Sequence, residues 1–397
     1  MKLFNRFPSA GLLISALVVA GLAACGGGGG DSSVNATAAT SGTLRLALTD
    51  APACGYDAVN ITVQKVRVHQ SSTASDADAG WSEIVLNPAR KINLLNLTNG
   101  VLSELGQTPL PTGRYTQLRM ILADNTGNTL ANSVVPTGSS EVALKTPSGQ
   151  QSGEKANINI DIATNQLADF VLDFDACKSV VTAGNSGQFL LKPVVSVIPR
   201  YISAVAGFVD ASLANGSTAV SLQQGGVVIK ATAPDNTGKF LLQPVGAGSY
   251  SLVLTAPGRT TAVITNVAVT TDTVTTVNAA TTAFSLPVST TGTANGTAPV
   301  DTLVRALQVL SSGTTVEVAG RFVDGTTGAY SFPLAVNAPL VAPYVAAPAP
   351  LVFSADTAVA GRYTLRASAS LGAFADKSVA LPVLTTGTTV TTNITFP

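Results

Sequence analysis

Apolar residues at every second position are the feature that most restricts how this chain can fold. Residues 44–48 and 59–63 both show this alternation, with leucine, valine or isoleucine at alternate positions. A period of two places such side chains on one face of a β-strand. Pairs that favour tight turns, such as Asn99-Gly100, separate the alternating stretches. The sequence therefore predicts an all-β protein.

The composition supports this fold class and excludes one class of partner. Hydrophobic residues make up 46% of the 397 residues, and charged residues only 11%. The 22 lysines and arginines are balanced by 22 aspartates and glutamates. Proteins that bind nucleic acid carry a basic excess for their phosphate contacts, so we expect no nucleic-acid partner.

Several further strands can be placed along the chain. We predict strands over residues 114–122, 156–162, 170–174 and 188–198 from their alternation and flanking turns. The alternation changes parity between Val63 and Val66, which predicts a β-bulge near Gln64 and Lys65. Residues 91–105 fit either a strand or a short helical turn, and both alternatives stay open.

The first 24 residues have the character of an export signal. Lys2 and Arg6 give a positively charged start, residues 11–21 form an apolar run, and small residues follow. The apolar run is shorter than the roughly 20 residues that a membrane-spanning helix needs. We therefore interpret residues 1–24 as a signal peptide.

The end of this segment, Leu22-Ala23-Ala24-Cys25, resembles the lipobox of bacterial lipoproteins. The resemblance implies that Cys25 is acylated and that the protein has the membrane as a partner through its N-terminal lipid. Inner-membrane lipoproteins carry an aspartate after the cysteine, whereas Gly26 follows it here, so the expected location is the bacterial outer membrane. Residues 25–41 are then the lipidated cysteine and a Gly/Ser-rich tether. The alternative is an ordinary secretory signal followed by a chance cysteine.

The sequence contains three cysteines, and lipidation of Cys25 leaves Cys54 and Cys177 as a pair. In an exported protein such a pair most simply forms a disulfide. Two buried free thiols are the alternative.

Residues 42–200 contain a set of short motifs that together resemble a known bacterial lipoprotein domain. The motifs are Thr49-Asp50-Ala51-Pro52, Gly80-Trp81, Pro111-Thr112-Gly113-Arg114-Tyr115, Leu172-Asp173-Phe174-Asp175-Ala176 and Leu191-Lys192-Pro193-Val194. The family is the domain of unknown function four-three-eight-two. It has no established activity, so the resemblance implies a β-sandwich-like architecture and no function.

The remaining chain repeats itself, which predicts two related domains over residues 204–286 and 300–397, joined by a linker at 287–299. Four pairs of segments are similar: 206–210 and 319–324, 235–240 and 325–330, 247–252 and 360–365, and 270–278 and 385–393. The pattern resembles carboxypeptidase-regulatory-like, or Cna-B-like, β-sandwiches with Ig/transthyretin-like topology. The Ala/Pro-rich residues 337–350 are predicted to form an extended surface loop.

Catalysis has little support in the residues. His69 is the only histidine, which removes most metal and acid–base designs. A hydrolytic site built from His69 with Ser71 or Ser72 and a carboxylate is conceivable, but these residues lie in a predicted loop. We expect that the protein is not an enzyme.

Two groups of residues are candidates for ligand binding. Asp173 and Asp175 share one face if both lie on a strand, and could contribute to a calcium site; calcium is the one cofactor that the sequence suggests. The alternative is that they bind backbone amides or Lys178. The second group consists of Trp81, Tyr56 and Tyr115. These aromatic residues could form a sugar-stacking platform or simply pack in the core.

These observations predict a non-catalytic, lipid-anchored protein of the cell envelope. Its β-domains would present loops to an envelope polysaccharide or to another envelope protein. The alternative is a structural spacer or stalk with no ligand of its own, and a hydrolase is the third possibility. The sequence assigns no ligand-binding residue.

Overall fold

A computed structural model describes residues 41–50, 55–127, 129–147, 153–346, 349–369 and 374–397. These residues form an all-β fold with one short α-helix, as the alternation predicted. Among the helices of the described residues, none is long and apolar enough to cross a bilayer. The predicted signal peptide (1–24), Cys25 and the tether as far as residue 40 lie outside the described residues.

The first module, residues 41–199, consists of two sheets that share one core. Its strands are β1 (Ser41–Asp50), β2 (Tyr56–His69), β3 (Ser82–Asn93), β4 (Ser103–Pro111), β5 (Gly113–Leu122), β6 (Ser133–Pro136), β7 (Val142–Lys145), β8 (Glu154–Ile162), β9 (Leu167–Phe174), β10 (Val180–Thr182), β11 (Phe189–Leu191) and β12 (Val195–Pro199), with helix α1 (Ala176–Ser179) after β9. One sheet has the order β12-β9-β1-β4, and the other has the order β10-β11-β7-β6-β2-β5-β8, with β3 also paired to β2. Leu46, Ile61 and Phe174 are fully or almost fully buried in the core.

The predicted bulge is confirmed in β2. The register of β2 against β5 shifts by one residue between Val63 and Lys65, and the register against β3 is also interrupted at this place. Val63, Val66 and Val68 are therefore all buried in the same core, although their spacing breaks the period of two.

Two predicted segments are resolved differently by the structure. Residues 91–105 contain the end of β3, a 3-10 turn at Leu94–Leu97 and the start of β4, so both alternatives were partly right. The single strand predicted over residues 188–198 is wrong, because β11 and β12 belong to different sheets. Pro193 lies between them, and its missing N–H cannot continue a strand ladder.

The second and third modules follow. The strands of the second are β13 (Ala204–Phe208), β14 (Ala219–Gln224), β15 (Val227–Thr232), β16 (Lys239–Leu242), β17 (Gly248–Thr255), β18 (Ala262–Val269) and β19 (Val274–Thr276). The later strands are β20 (Thr291–Thr297), β21 (Thr302–Val309), β22 (Thr315–Phe322), β23 (Ala329–Ala335), β24 (Leu340–Pro343), β25 (Ser354–Ala355), β26 (Thr364–Ala369), β27 (Lys377–Ala380) and β28 (Thr389–Thr391). Short 3-10 turns occur at Ala211–Leu213, Ala280–Thr282 and Thr357–Val359.

The two modules have the same strand order. The small sheets are β16-β13-β19 and β23-β20-β28, and the larger sheets contain β15-β14-β17-β18 and β22-β21-β26-β27. In each module the first strand is antiparallel to the fourth and parallel to the last. This agrees with the similarity between their sequences.

A shared turn shows which residues are equivalent. The N–H of Val209 donates to the carbonyl of Gly238, and the N–H of Ala298 donates to that of Gly328. Both glycines have positive φ. A Cβ at Gly238 would lie 2.2 Å from the carbonyl oxygen of Val209, and a Cβ at Gly328 would lie 2.1 Å from that of Ala298, so only glycine fits at these positions. Segments 235–240 and 325–330 are therefore true equivalents.

One of the four predicted similarities is a misalignment. Ala206 pairs with Thr276 in the second module, as Asn295 pairs with Thr391 in the third. The equivalent of segment 206–210 is consequently the region around Asn295 in β20. Residues 319–324 belong instead to the end of β22, the third strand of its module, and the turn after it.

The predicted linker and surface loop also need correction. β20 begins at Thr291, so residues 291–297 of the predicted linker form a strand. The predicted loop at 337–350 contains β24, which pairs in parallel with β18 of the second module. We call residues 340–355, with β24 and β25, the added hairpin. Ala342 in this hairpin is fully buried.

Candidate functional sites

A buried ion pair joins the first module to the second. The Nζ atom of Lys230, on β15, lies 2.5 Å from Oδ1 of Asp173, at the end of β9. The two side chains are only 1% and 9% exposed. Burial raises the pKa of Asp173, and the charge of Lys230 acts against this rise.

A second lysine, which is largely but not fully buried, joins the first module to the third. Asp175 caps the start of α1, accepting from the N–H of Lys178 at 3.0 Å. The Lys178 Nζ lies 3.3 Å from Oδ2 of Asp175 and 2.8 Å from Oε1 of Glu317, on β22. Burial alone would lower the pKa of Lys178, but the two carboxylates together raise it above its ordinary value. Lys178 is therefore held as a cation.

A glutamine completes this junction between the second and third modules. The Gln223 side chain, on β14, donates to the carbonyl of Glu317 at 2.8 Å and accepts from its N–H at 2.7 Å. Gln223 is 1% exposed, and its amide satisfies two backbone groups of β22. We call Asp173, Lys178, Gln223, Lys230 and Glu317 the junction.

The predicted calcium ligands lie beside this junction. Asp173 is in β9, but Asp175 lies beyond the end of the strand, so the two do not share a strand face as predicted. Each carboxylate has a lysine partner, Lys230 or Lys178. In the part of the chain that the structure describes, no group of three or more His, Cys, Asp or Glu side chains is placed to hold a metal ion. The calcium site stays a prediction, and the ion pairs favour the alternative of lysine and amide partners.

The first module also contacts the third directly at a turn. Oδ2 of Asp324 accepts from the hydroxyl of Thr182 at 3.0 Å and from the N–H of Gly184 at 2.7 Å. Burial would raise the pKa of Asp324, but the N–H groups of Thr327, Thr326 and Gly184 together hold it well below its usual range. This carboxylate stays ionised at all physiological pH values.

Apolar packing joins the second and third modules. Val253 and Val263 from the second module and Leu310 and Val316 from the third form one buried cluster. With the added hairpin and the junction, each module thus contacts the two others.

The three candidate sugar-stacking residues have different surroundings. Tyr115 is 2% exposed, lies in the core, and donates to the carbonyl of Pro111 at 3.2 Å. Tyr56 packs edge-on against Phe189 at the border of the same core. Trp81 is partly buried against arginine side chains, with the guanidinium carbon of Arg67 4.3 Å from its ring centre. Tyr115 therefore offers no ring face to a sugar.

His69 is engaged by its own loop. Its Nδ1 atom accepts from the N–H of Ser71 at 2.9 Å, and its Nε2 atom lies 2.9 Å from the carbonyl of Ala79. The hydroxyl of Ser71 pairs with that of Thr73 rather than with the imidazole. A histidine with both nitrogens on backbone groups is poorly placed to activate a serine. The expectation that the protein is not an enzyme stays a prediction.

Of the three cysteines, Cys177 alone lies among the residues that the structure describes. Cys177 lies in α1 and is disulfide-bonded. Cys54 and Cys25 lie outside the described residues, so the pairing of Cys54 with Cys177 and the lipidation of Cys25 stay predictions.

Sequence reasoning missed most of the junction. Lys230, Gln223 and Glu317 were not predicted as site residues, because each lies in a strand with no recognisable motif. One signal was available for Lys230, which interrupts the otherwise uncharged strand Val227–Thr232. A lysine inside an apolar strand needs a partner when buried.

The fold and the junction define a multi-module all-β protein whose modules are joined by buried polar contacts. Residues 41–193 match the family model described as Domain of unknown function (DUF4382). This match covers most of the first module and agrees with the resemblance expected for residues 42–200. No curated protein sequence matches the chain significantly.

Solved structures show distant similarity. A type II cohesin–X-dockerin complex from Acetivibrio cellulolyticus is 21% identical over 22% of this chain and 58% of that chain, with a TM-score of 0.19. The TIE protein of Bacillus anthracis is 11% identical over 90% of this chain and 51% of that chain, with a TM-score of 0.19. A streptococcal ancillary pilin is 10% identical over 88% and 98% of the two chains, with a TM-score of 0.13. The chain thus spans little more than half of the first two, and such low TM-scores identify no ligand or partner.

Proposed function

We propose that this chain is a non-catalytic, lipid-anchored protein of the bacterial cell envelope whose β-modules bind an envelope polysaccharide or another protein. A lipid on Cys25 would hold it in the membrane, at the outer membrane given Gly26, and the following residues would act as a tether. The second and third modules would be sandwiches of the carboxypeptidase-regulatory-like type.

The observation that carries the binding role is the junction. In a stalk, modules follow one another and each contacts only its neighbours in sequence. Here the first module contacts the third through Lys178 and Glu317, and again through Gly184 and Asp324. Buried ion pairs are costly to desolvate, and they constrain the groups that satisfy them. A body in which three modules hold one another in place suits a binding surface better than a spacer.

The anchoring half of the proposal is tested by Cys25→Ala. We expect this variant to lose its acyl groups in intact-mass measurements and to leave the membrane fraction, whereas the control Gly27→Ala keeps both. Continued acylation and membrane association of Cys25→Ala would refute the lipid anchor.

The binding half is tested by thermal unfolding of the full chain with a panel of envelope polysaccharides. A ligand that binds only the folded protein stabilises it by about 2.7 kcal/mol at a hundredfold excess over Kd. A saturable rise in Tm with one polysaccharide supports glycan binding. If no polysaccharide raises the Tm, glycan binding is refuted and a protein partner is the remaining possibility.

A further inference from the structure

The outer strand of the second module is covered by a strand from elsewhere in the chain. β24 pairs in parallel with β18, from Ala262 with Leu340 to Thr265 with Pro343. The N–H of Leu340 donates to Thr261 at 2.9 Å, continuing the ladder at its start. Tyr344 and Phe353 of the added hairpin segment pack against the core of the second module.

The equivalent strand of the third module is β27. It occupies the same place as β18 in the shared strand order, at the end of the sheet β22-β21-β26-β27. Within the described residues, β27 pairs with β26 on one side and with no strand on the other. An open strand edge offers unpaired N–H and C=O groups to another chain.

The hydrogen bonds of β26 show which groups of β27 face outward. The N–H of Leu381, just after β27, donates to the carbonyl of Tyr363 at 3.0 Å. Residues of an antiparallel pair alternate in direction, so the N–H groups of Val379 and Lys377 also point towards β26. The N–H groups of Ser378 and Ala380 therefore point away from it.

A groove with exposed aromatic surface lies at the start of this edge. It has a volume of about 420 Å³ and is lined by residues 375–378 and 395–397. Phe374 is 47% exposed and stacks on Phe396, with ring centres 5.5 Å apart.

We propose that β27 is the docking site for an extended segment of a partner protein, which adds to the sheet as a further parallel strand. The expected segment resembles what covers β18 in the same chain: an uncharged strand of small apolar residues bounded by prolines, as in Ala338-Pro339-Leu340-Val341-Ala342-Pro343-Tyr344. Backbone hydrogen bonds would provide affinity, and the groove at the start of β27 would contact the N-terminal end of the added segment. This inference rests on the binding role proposed above and names the partner as a protein strand.

The chain's own β24 is not available as this partner. Its backbone is paired with β18, and Ala342 is fully buried there. A second copy of the chain could instead pair its β27 with that of the first copy. The experiment below distinguishes such a dimer from binding of a partner segment.

The probe is a fluorescent peptide with the sequence of residues 337–346, titrated into the purified full chain and followed by anisotropy. Saturable binding is expected. Ser378→Pro removes an outward N–H without touching the pairing with β26, and edge strands tolerate proline. We expect this variant to bind at least tenfold more weakly, while Ser378→Ala, which keeps the N–H, binds as the wild type does.

Folding is checked by comparing the Tm of each variant, and Ala380→Pro provides a second removal of an outward N–H. If both folded proline variants bind the peptide as tightly as the wild type, the peptide binds elsewhere and the inference is wrong. Absence of saturable binding to the wild type also overturns it, as does a dimer that Ser378→Pro dissociates. The membrane anchor and any polysaccharide-induced rise in Tm should be unchanged by Ser378→Pro, so the proposed function can stand when this inference falls.

Discussion

Lys230 and Asp173 lie 57 residues apart in sequence, on different modules, and form an ion pair that is nearly closed to solvent. Neither residue could be buried in its own module alone without an uncompensated charge. Their contact ties correct folding of the first module to correct docking of the second.

Replacing Lys230 with methionine should be strongly destabilising. The change leaves the Asp173 carboxylate buried without its cation, which typically costs about 3–5 kcal/mol. Because burial already raises the pKa of Asp173, the loss should be smaller below the ordinary aspartate pKa of about 4, where the group is neutral. Urea unfolding at pH 7 and at about pH 3 measures both effects. The exposed Lys239→Met is the control, and equal stability of the two variants at pH 7 would contradict the role of the pair.

Gln223→Ala should weaken the attachment of the third module. It removes both hydrogen bonds to the Glu317 backbone and leaves buried groups unpaired, at a cost of about 1–3 kcal/mol for each such group. The neighbouring Gln224, whose amide bonds to Ser249 at an exposed site, provides a matched control. Urea denaturation should show a loss for Gln223→Ala and almost none for Gln224→Ala. Similar midpoints would argue that the second and third modules do not depend on this contact.

Asp324 should make the contact between the first and third modules sensitive to acid. A carboxylate whose folded pKa is depressed contributes stability above its unfolded pKa, and this stability is lost as pH falls towards the folded pKa. The wild type should therefore exceed Asp324→Asn in stability at pH 7, and the difference should shrink progressively below about pH 4. Hydrogen exchange at Gly184 reports the contact directly. A difference that does not change between pH 7 and pH 2 would be inconsistent with this assignment.

Chelation should leave the junction unchanged. Asp173 and Asp175 are each paired with a lysine, so removing calcium withdraws no partner from either carboxylate. We expect the same Tm in EDTA and in millimolar calcium. A chelator-sensitive Tm that disappears in Asp175→Asn would revive the predicted calcium site.

Peptide mapping without reduction should link Cys54 to Cys177. A bridge that closes a loop of more than 100 residues can stabilise a fold by about 4–5 kcal/mol in the chain-entropy model. Reduction should therefore lower the Tm, and Cys54→Ser should lower it to a similar extent. A Cys54 that reacts with a thiol reagent in the unreduced protein would disprove the pairing.

The sequence was sufficient for the fold class and for many strands, because a period of two is a local property. The β-bulge was predictable for the same reason, since Val63 and Val66 record the change of face within one strand. The shared turn at Gly238 and Gly328 was also visible, because its positive φ favours a glycine in both modules.

The junction and the added hairpin were not predictable by the same reasoning. The pairing of Lys230 with Asp173 depends on how modules dock, which no local period reports. The proline-rich flanks of Leu340–Pro343 indicated a loop, since proline interrupts a central strand. This strand tolerates Pro343 because position 343 faces away from β18, and β25 pairs only with Leu340 and Val341.

The added hairpin determines the order in which the modules are completed, because the chain is synthesised from its N-terminus onwards. Val263 is made long before its partner Val341, and the second module stays without its covering strand until β24 of the third has appeared. During this interval the edge of β18 is exposed to unwanted pairing, a recognised route to aggregation. A chain that stops after residue 286 would keep this exposed edge permanently, so the second module is complete only when the chain has been extended through Pro343 of the third.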